Sequence, residues 1–310
     1  MKTDLSIKTL ITYEATINAI FKALKLDGNR PDSGEWIEQH WSRIVEHVEA
    51  SASIHSKKNR YAILKVYATL YDLPDSIIDF LDNKMKSLND EVAEGYETNE
   101  MSAKVAANWI GVKELKQTRD TLKQKLPGII DTYSEYKALC KYLMLLIHIE
   151  VPLRNDLANA TIGTKKPTDE TNNHIVLKTK RTGVIILNDY KTKKQYGATT
   201  IQIPQHIVIE LHKHLPTIQR MSPHGWLIFD KDDSTKPISR TTLTKWLNDV
   251  FKDTGKSVST TQIRRAVVSH LHDVGPNTTM KQKKQLAAMM GHSLTEASTV
   301  YAKQLTDEQK

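Results

Sequence analysis

The stretch between Pro152 and Pro204 limits the possible folds of this chain more than any other. Elsewhere the apolar residues recur at helical spacing; here the period changes. HIVLK (174–178), GVIILNDY (183–190) and ATTIQIP (198–204) are rich in β-branched residues, with RTG and KTKKQYG marking the turns. Such runs read as strands, and turns this short join them as a three-stranded antiparallel meander. After Pro204 the helical pattern returns. The expected fold class is therefore mainly α with a small antiparallel β-sheet.

Residues 1–88 read as a small all-helical domain. Apolar residues keep helical spacing from Leu5 to Leu26, Gly28, Pro31 and Gly34 interrupt them, and helices are expected over 36–52, 58–71 and 76–86. NDEVAEGYETNE, residues 89–100, holds five acids and no base. The segment 89–105 reads as an acidic, solvated linker. A second domain follows over 106–310. Its central helix is expected at 132–149 and ends at Pro152, because proline lacks an amide donor and its ring clashes inside a helix. Further helices are expected at 106–126, 205–215, 240–254, 261–274, 281–290 and 294–303.

Charge divides along the same line. Residues 1–100 carry 12 basic and 17 acidic side chains, a net of −5, and residues 101–310 carry 32 and 19, a net of +13. Basic charge concentrated in one part of a chain is the footprint of a polyanion, usually nucleic acid, with a merely solvated surface as the alternative. The longest apolar run, ALCKYLMLLIHI, includes Lys141 and is well short of the roughly 20 residues that span a bilayer. Asp4 and Glu14 stand where a secretory signal would be basic and then apolar. Cys140 is the sole cysteine, which excludes an internal disulfide and suits a buried residue in a reducing compartment. The pairs His212/His214 and His270/His272 have a spacing that points apart on a helix, so they read as surface or core residues and not as ligands; no metal and no cofactor are expected.

Several cationic and polar residues sit in distinctive settings. Arg154 follows the apolar helix in VPLRNDLANATI, and Lys191 lies at a hairpin tip in NDYKTKKQYG with Lys193 and Lys194. Arg264 and Arg265 open a helix in TTQIRRAVVSHL, and GHSLTEASTVYAK places His292 nine residues before Tyr301. Each alone has an ordinary structural reading: a capping arginine, a solvated lysine turn, a histidine after a helix-ending glycine, a tyrosine anchoring a helix.

Taken in order, these segments resemble the tyrosine recombinase (phage integrase) superfamily. PLRNDL resembles its first arginine box, IRRAVVSHL its second, and MGHSLTEASTVYA its terminal His–Tyr segment. LNDYKTKKQYGATTIQIP is closest in feel to integrase-like proteins of large DNA viruses and associated mobile elements. The resemblance spans about residue 108 to the end. Two positions depart from the pattern: Thr261 stands where the second box opens with His, and Leu157 stands where an acid follows the first box, with Asp156 one residue earlier.

The resemblance implies a two-domain, C-shaped clamp on double-stranded DNA, with a helical core-binding domain and a mixed α/β catalytic domain. It implies a site-specific recombinase or integrase acting as a tetramer on paired sites, inside a cytoplasm or host nucleus. Arg154 and Arg264 would grip the nonbridging phosphate oxygens, Lys191 would protonate the leaving 5′-oxygen, His292 would assist at the phosphate, and Tyr301 would attack phosphorus. Thr261, Arg265, Asp156, Lys193 and Lys194 would support or substitute. A local basic cluster suggests Lys57, Lys58, Arg60 and Tyr61 as DNA contacts in the first domain, with a solvated helix end as the alternative. A type IB topoisomerase-like relaxing enzyme and a catalytically weakened DNA-binding module are the alternatives.

Overall fold

The computed structural model describes residues 6–273 and 278–305. The chain divides into two units, Met1–Thr98 and Asn99–Lys310. The first is helical: α1 (Ile7–Ala23), α2 (Glu35–Gln39), α3 (Trp41–Glu49), α4 (Ile54–Leu70) and α5 (Asp75–Glu97). Ile17, Phe21, Trp36, Ile44, Leu64 and Leu81 are buried at its centre, and Phe21 meets Trp36 edge to face at 5.2 Å. The Ser6 hydroxyl accepts from the Thr9 amide and caps α1.

The expected acidic linker is corrected here. Residues 89–97 are the last turns of α5, and the division falls after Thr98. Leu81, Met85, Leu88, Val92 and Tyr96 continue one helical stripe through the acidic run. Acidic side chains on the other faces are compatible with a helix whose apolar stripe is intact.

In the second unit, α6 (Ala103–Ala107) and α7 (Val112–Gln124) lead to α8 (Tyr133–Glu150). Thr132 and Glu135 close a capping box at the start of α8. From Leu139 to Ile149 only Lys141 escapes full burial, so α8 is the axis of the core. A 3-10 turn (Asn155–Asn159) leads into β1 (Ala160–Gly163), then β2 (Asn173–Leu177), β3 (Gly183–Leu187), the short α9 (Lys193–Tyr196) and β4 (Thr199–Gln202). The helices α10 (Gln205–Met221), α11 (Arg240–Val250), α12 (Thr260–Asp273) and α13 (Met280–Met289) follow. The chain then enters α14 (Leu294–Glu296), which opens into a π-helical turn, Ala297–Tyr301.

The sheet is mixed rather than purely antiparallel. Its order is β1-β2-β3-β4, with β2, β3 and β4 forming the expected meander and β1 added parallel to β2. β1 depends on tertiary partners: Ile162 N donates to Gly225 O, and Leu227 N to Ala160 O. The burial of β1 alternates, but four residues are too short a run to read as a strand in the sequence. Among the described residues, no helix is long and apolar enough to cross a membrane.

Candidate active site

Arg154 leaves the core directly. Val151 and Leu153 are buried just past α8, fixing the chain where it turns outward. The buried ring of His148 sits between the carbonyls of Met144 (2.7 Å) and Arg154 (3.2 Å), holding the helix end and the arginine's backbone together. Burial holds the His148 pKa below the usual imidazole value.

Arg264 points inward from α12, whose Ile263, Ala266 and Val268 are buried beside it. Its guanidinium is fully buried. Nη2 donates to Met290 O at 3.2 Å, while Nε and Nη1 have no hydrogen-bond partner among the described residues. Burial first, and the neighbouring Arg154 charge after it, pull the Arg264 pKa down to about 10. Leaving donors of a buried cation unmatched is costly, so the arrangement suits an incoming anion.

His292 is delivered by a Schellman turn at the end of α13. Gly291 takes φ +65°, Gly291 N donates to Ala288 O, and His292 N donates to Ala287 O. Arg154 Nη2 donates to His292 Nε2 at 3.0 Å, and Arg264 Nη2 donates to the same nitrogen. Nε2 is therefore an acceptor, which puts the ring proton on Nδ1. Glu296 Oε1 lies 2.7 Å from Nδ1, an ion-pair distance with a bent hydrogen-bond geometry. Burial, then the positive field of Arg264, lower the His292 pKa to about 4, with Glu296 opposing.

Tyr301 completes the group. It ends the π-helical turn and is nearly buried. Its ring lies 4.7 Å from the Arg264 guanidinium carbon and 4.9 Å from the His292 ring. The fold thus gathers Arg154, Arg264, His292 and Tyr301 from four separate segments. A cation over a tyrosine face is favourable in its own right, and here it also closes solvent off from Arg264.

The remaining sequence candidates fall into different places. Lys191, Lys193 and Lys194 are exposed in the β3–β4 connection. That connection touches the site, because Thr192 Oγ1 donates to Gly291 O at 3.3 Å. Asp156 is buried. Burial raises its pKa, opposed by Arg240 before Arg154 and Arg264. Leu157 belongs to the core. Arg265 donates to Gln262 Oε1 at 3.0 Å on its own helix.

Thr261 is exposed. Its neighbour Thr260 is the residue that turns inward, donating to Asn155 Oδ1 at 2.9 Å. In the first unit, Lys57 pairs with Glu49, Arg60 donates to Ser51, and Lys58 is half-buried. Tyr61 is corrected as a surface contact: it is fully buried, and its hydroxyl donates to Glu49 at 2.8 Å.

Sequence reasoning passed over Glu296, His148, Asn173, Asp189 and Arg240. The first had a readable signal, its four-residue spacing from His292 on a helical segment. Among the described residues, no group of three or more His, Cys, Asp or Glu side chains is arranged to hold a metal ion.

No protein-family model and no curated protein matches this chain. Among solved structures it is similar to "Crystal structure of XerA recombinase", at 14% identity and TM-score 0.45, covering 98% of this chain and 90% of that one. It is also similar to "Crystal structure of XerH site-specific recombinase bound to difH substrate: pre-cleavage complex", at 11% identity and TM-score 0.45, covering 86% and 74%. Likeness of this degree carries neither residues nor activity across, and the functional reading rests on the site itself.

Proposed function

We propose that this chain cleaves and rejoins DNA strands through a covalent bond between Tyr301 and a 3′-phosphate, as a site-specific recombinase or integrase. The observation that carries this reading is the meeting of Arg154, Arg264 and His292 beside the Tyr301 ring. The unmatched Nε and Nη1 of Arg264 support it, since phosphate oxygens would satisfy them.

His292 Nε2 occupies guanidinium donors that a phosphate would take. Arg264 is closed off, so phosphate entry requires the Tyr301 ring and His292 to move aside. The π-helical turn that carries Tyr301 is consistent with a functional position, since such turns are rare and frequent at functional sites. Once the arginines hold the phosphate, the His292 lone pair is free to take the phenol proton.

Tyr301 Oη then bonds to phosphorus and the P–O5′ bond breaks. Lys191 supplies the proton to the departing 5′-oxygen. The product is a 3′-phosphotyrosine and a free 5′-hydroxyl, and attack by another 5′-hydroxyl reverses the step without an energy source. Two guanidiniums neutralise charge that builds on the nonbridging oxygens, and each such donor is worth on the order of 2.7–4 kcal/mol in the transition state. The basic balance of residues 101–310 supports a duplex DNA partner. Assembly of several copies on paired sites belongs to the same proposal.

The test is capture on nicked duplexes of randomised sequence, which trap the intermediate when the short 5′ fragment diffuses away. A protease-sensitive, denaturation-resistant adduct is expected. Tyr301→Phe should abolish it with binding retained, and Arg154→Ala should slow capture about 100-fold or more. No adduct across the whole pool would overturn the reading. Relaxation of plasmid without joined products would favour the topoisomerase alternative.

A further inference from the structure

Lys191 is exposed, yet its flanking residues are tied down on every side. Asn188 N and Asp189 N both donate to Asn173 Oδ1 at 2.8 Å. Tyr190 OH donates to Gly197 O at 2.7 Å, closing the loop across its base. Thr192 Oγ1 donates to Gly291 O, next to His292. A lysine-rich connection of this length would ordinarily be a mobile surface loop.

Two side chains join this connection to the segment that carries Arg154. Asn173 is fully buried on β2, and its Nδ2 donates to Asp156 O at 2.6 Å and to Asp189 O at 2.8 Å. Arg240 opens α11, and its Nη2 donates to Asp189 O at 2.9 Å and Asp189 Oδ2 at 3.0 Å. The same nitrogen lies 3.7 Å from Asp156 Oδ1. Asp156 is two residues after Arg154, and Asp189 is two residues before Lys191. The arginine clamp and the lysine turn are therefore fixed to each other through Arg240 and Asn173.

We infer that Arg240 and Asn173 are positioning residues that hold the Lys191 turn against the Arg154 segment, so that the ammonium meets the leaving 5′-oxygen. The inference rests on the proposed strand cleavage and assigns it two further residues. A proton donor helps only while it is kept within hydrogen-bond reach of the oxygen it protonates. Neither Arg240 nor Asn173 touches the phosphate. Their loss should weaken leaving-group protonation and leave the guanidinium clamp intact.

A duplex whose scissile 5′-bridging oxygen is replaced by sulfur separates those two effects. When P–S5′ breaks, the leaving group departs as a thiolate and needs no proton, because a thiol with a pKa of about 8.5 is far more acidic than an alcohol. Arg240→Ala and Asp189→Asn should each slow capture on ordinary nicked DNA by about tenfold or more, part of the roughly 10²–10⁴-fold that proton transfer supplies. On the sulfur-bridged duplex both should return close to the wild-type rate, as should Lys191→Ala. Arg240→Lys should recover part of the loss on ordinary DNA. Both altered side chains are substantially exposed, at 42% and 50%, so the variants should fold.

Wild-type rates on ordinary DNA in both variants, or equal losses on both duplexes, would overturn the positioning role while leaving the cleavage reading in place. Failure of the wild-type protein on both duplexes would overturn the cleavage reading, and the inference with it.

Discussion

At the scale of single residues, His292 is the most informative group. Two guanidiniums donate to its Nε2, so the ring is neutral and carries its proton on Nδ1, facing Glu296. Its pKa of about 4 lies below the ordinary value near 6.5. The sign of the linkage follows. Between about pH 6.5 and about pH 4 the unfolded chain binds this proton and the folded chain does not, so stability falls as pH falls through that window. His292→Gln should remove this part of the slope, which urea midpoints at pH 7 and pH 5 would show; an unchanged slope would contradict it. Glu296→Gln withdraws the opposing carboxylate and should lower the His292 pKa further, read from the ring proton shifts on titration. An unchanged pKa would mean that the carboxylate is turned away from the ring in solution. Arg154, Arg264 and the Tyr301 ring also face this imidazole, so the proposed movement of His292 away from the guanidiniums on phosphate entry should raise its pKa.

At the scale of elements, α5 gives the sharpest test. If Asn89–Glu97 is helix, proline at an exposed interior position must break it. Glu91→Pro should cost about 3 kcal/mol, whereas Glu91→Ala should be nearly neutral. Equal, small effects in chemical denaturation would restore the linker. The stripe Leu81–Met85–Leu88–Val92–Tyr96 was legible in the sequence, but five acids masked it because charge and solvation look alike in a helix and a linker. The apolar helix α8 and the strands β2 and β3 were legible because each is a continuous apolar run, α8 too long for a strand and the strands short, β-branched and bounded by turn residues. β1 was not, since it is only four residues long and is held between β2 on one side and Gly225 and Leu227 on the other. The segments that supply Arg154, Arg264, His292 and Tyr301 could be picked out by their order along the chain. The residues that brace them could not: Asn173, Asp189 and Arg240 are ordinary polar residues whose partners lie far away in sequence. Thr260 and Thr261 differ by one helical step of about 100°, and only the packed structure tells which faces Asn155.

For the whole molecule, charge decides what the site can meet. Residues 101–310 have a net of +13 against −5 for residues 1–100, so long-range attraction to a polyanion belongs mainly to the second part. How much each lysine contributes depends on its existing partner. Lys193 and Lys194 are exposed beside Lys191, whereas Lys57 is paired with Glu49, whose pKa is held at about 2 chiefly by Lys84 and then by Tyr61 and Lys57. A lysine that neutralises a phosphate contributes about 0.9 to the slope of log affinity against log salt. Lys193→Ala with Lys194→Ala should therefore flatten that slope by up to about 2 and weaken binding similarly across sequences. Lys57→Ala should change it by much less, because DNA would have to compete with a carboxylate already in place. Fluorescence anisotropy over a range of salt concentrations measures both. A larger loss from Lys57→Ala would put the main phosphate contacts on the first unit, and the basic connection around Lys191 would then serve the chemistry without contributing to binding.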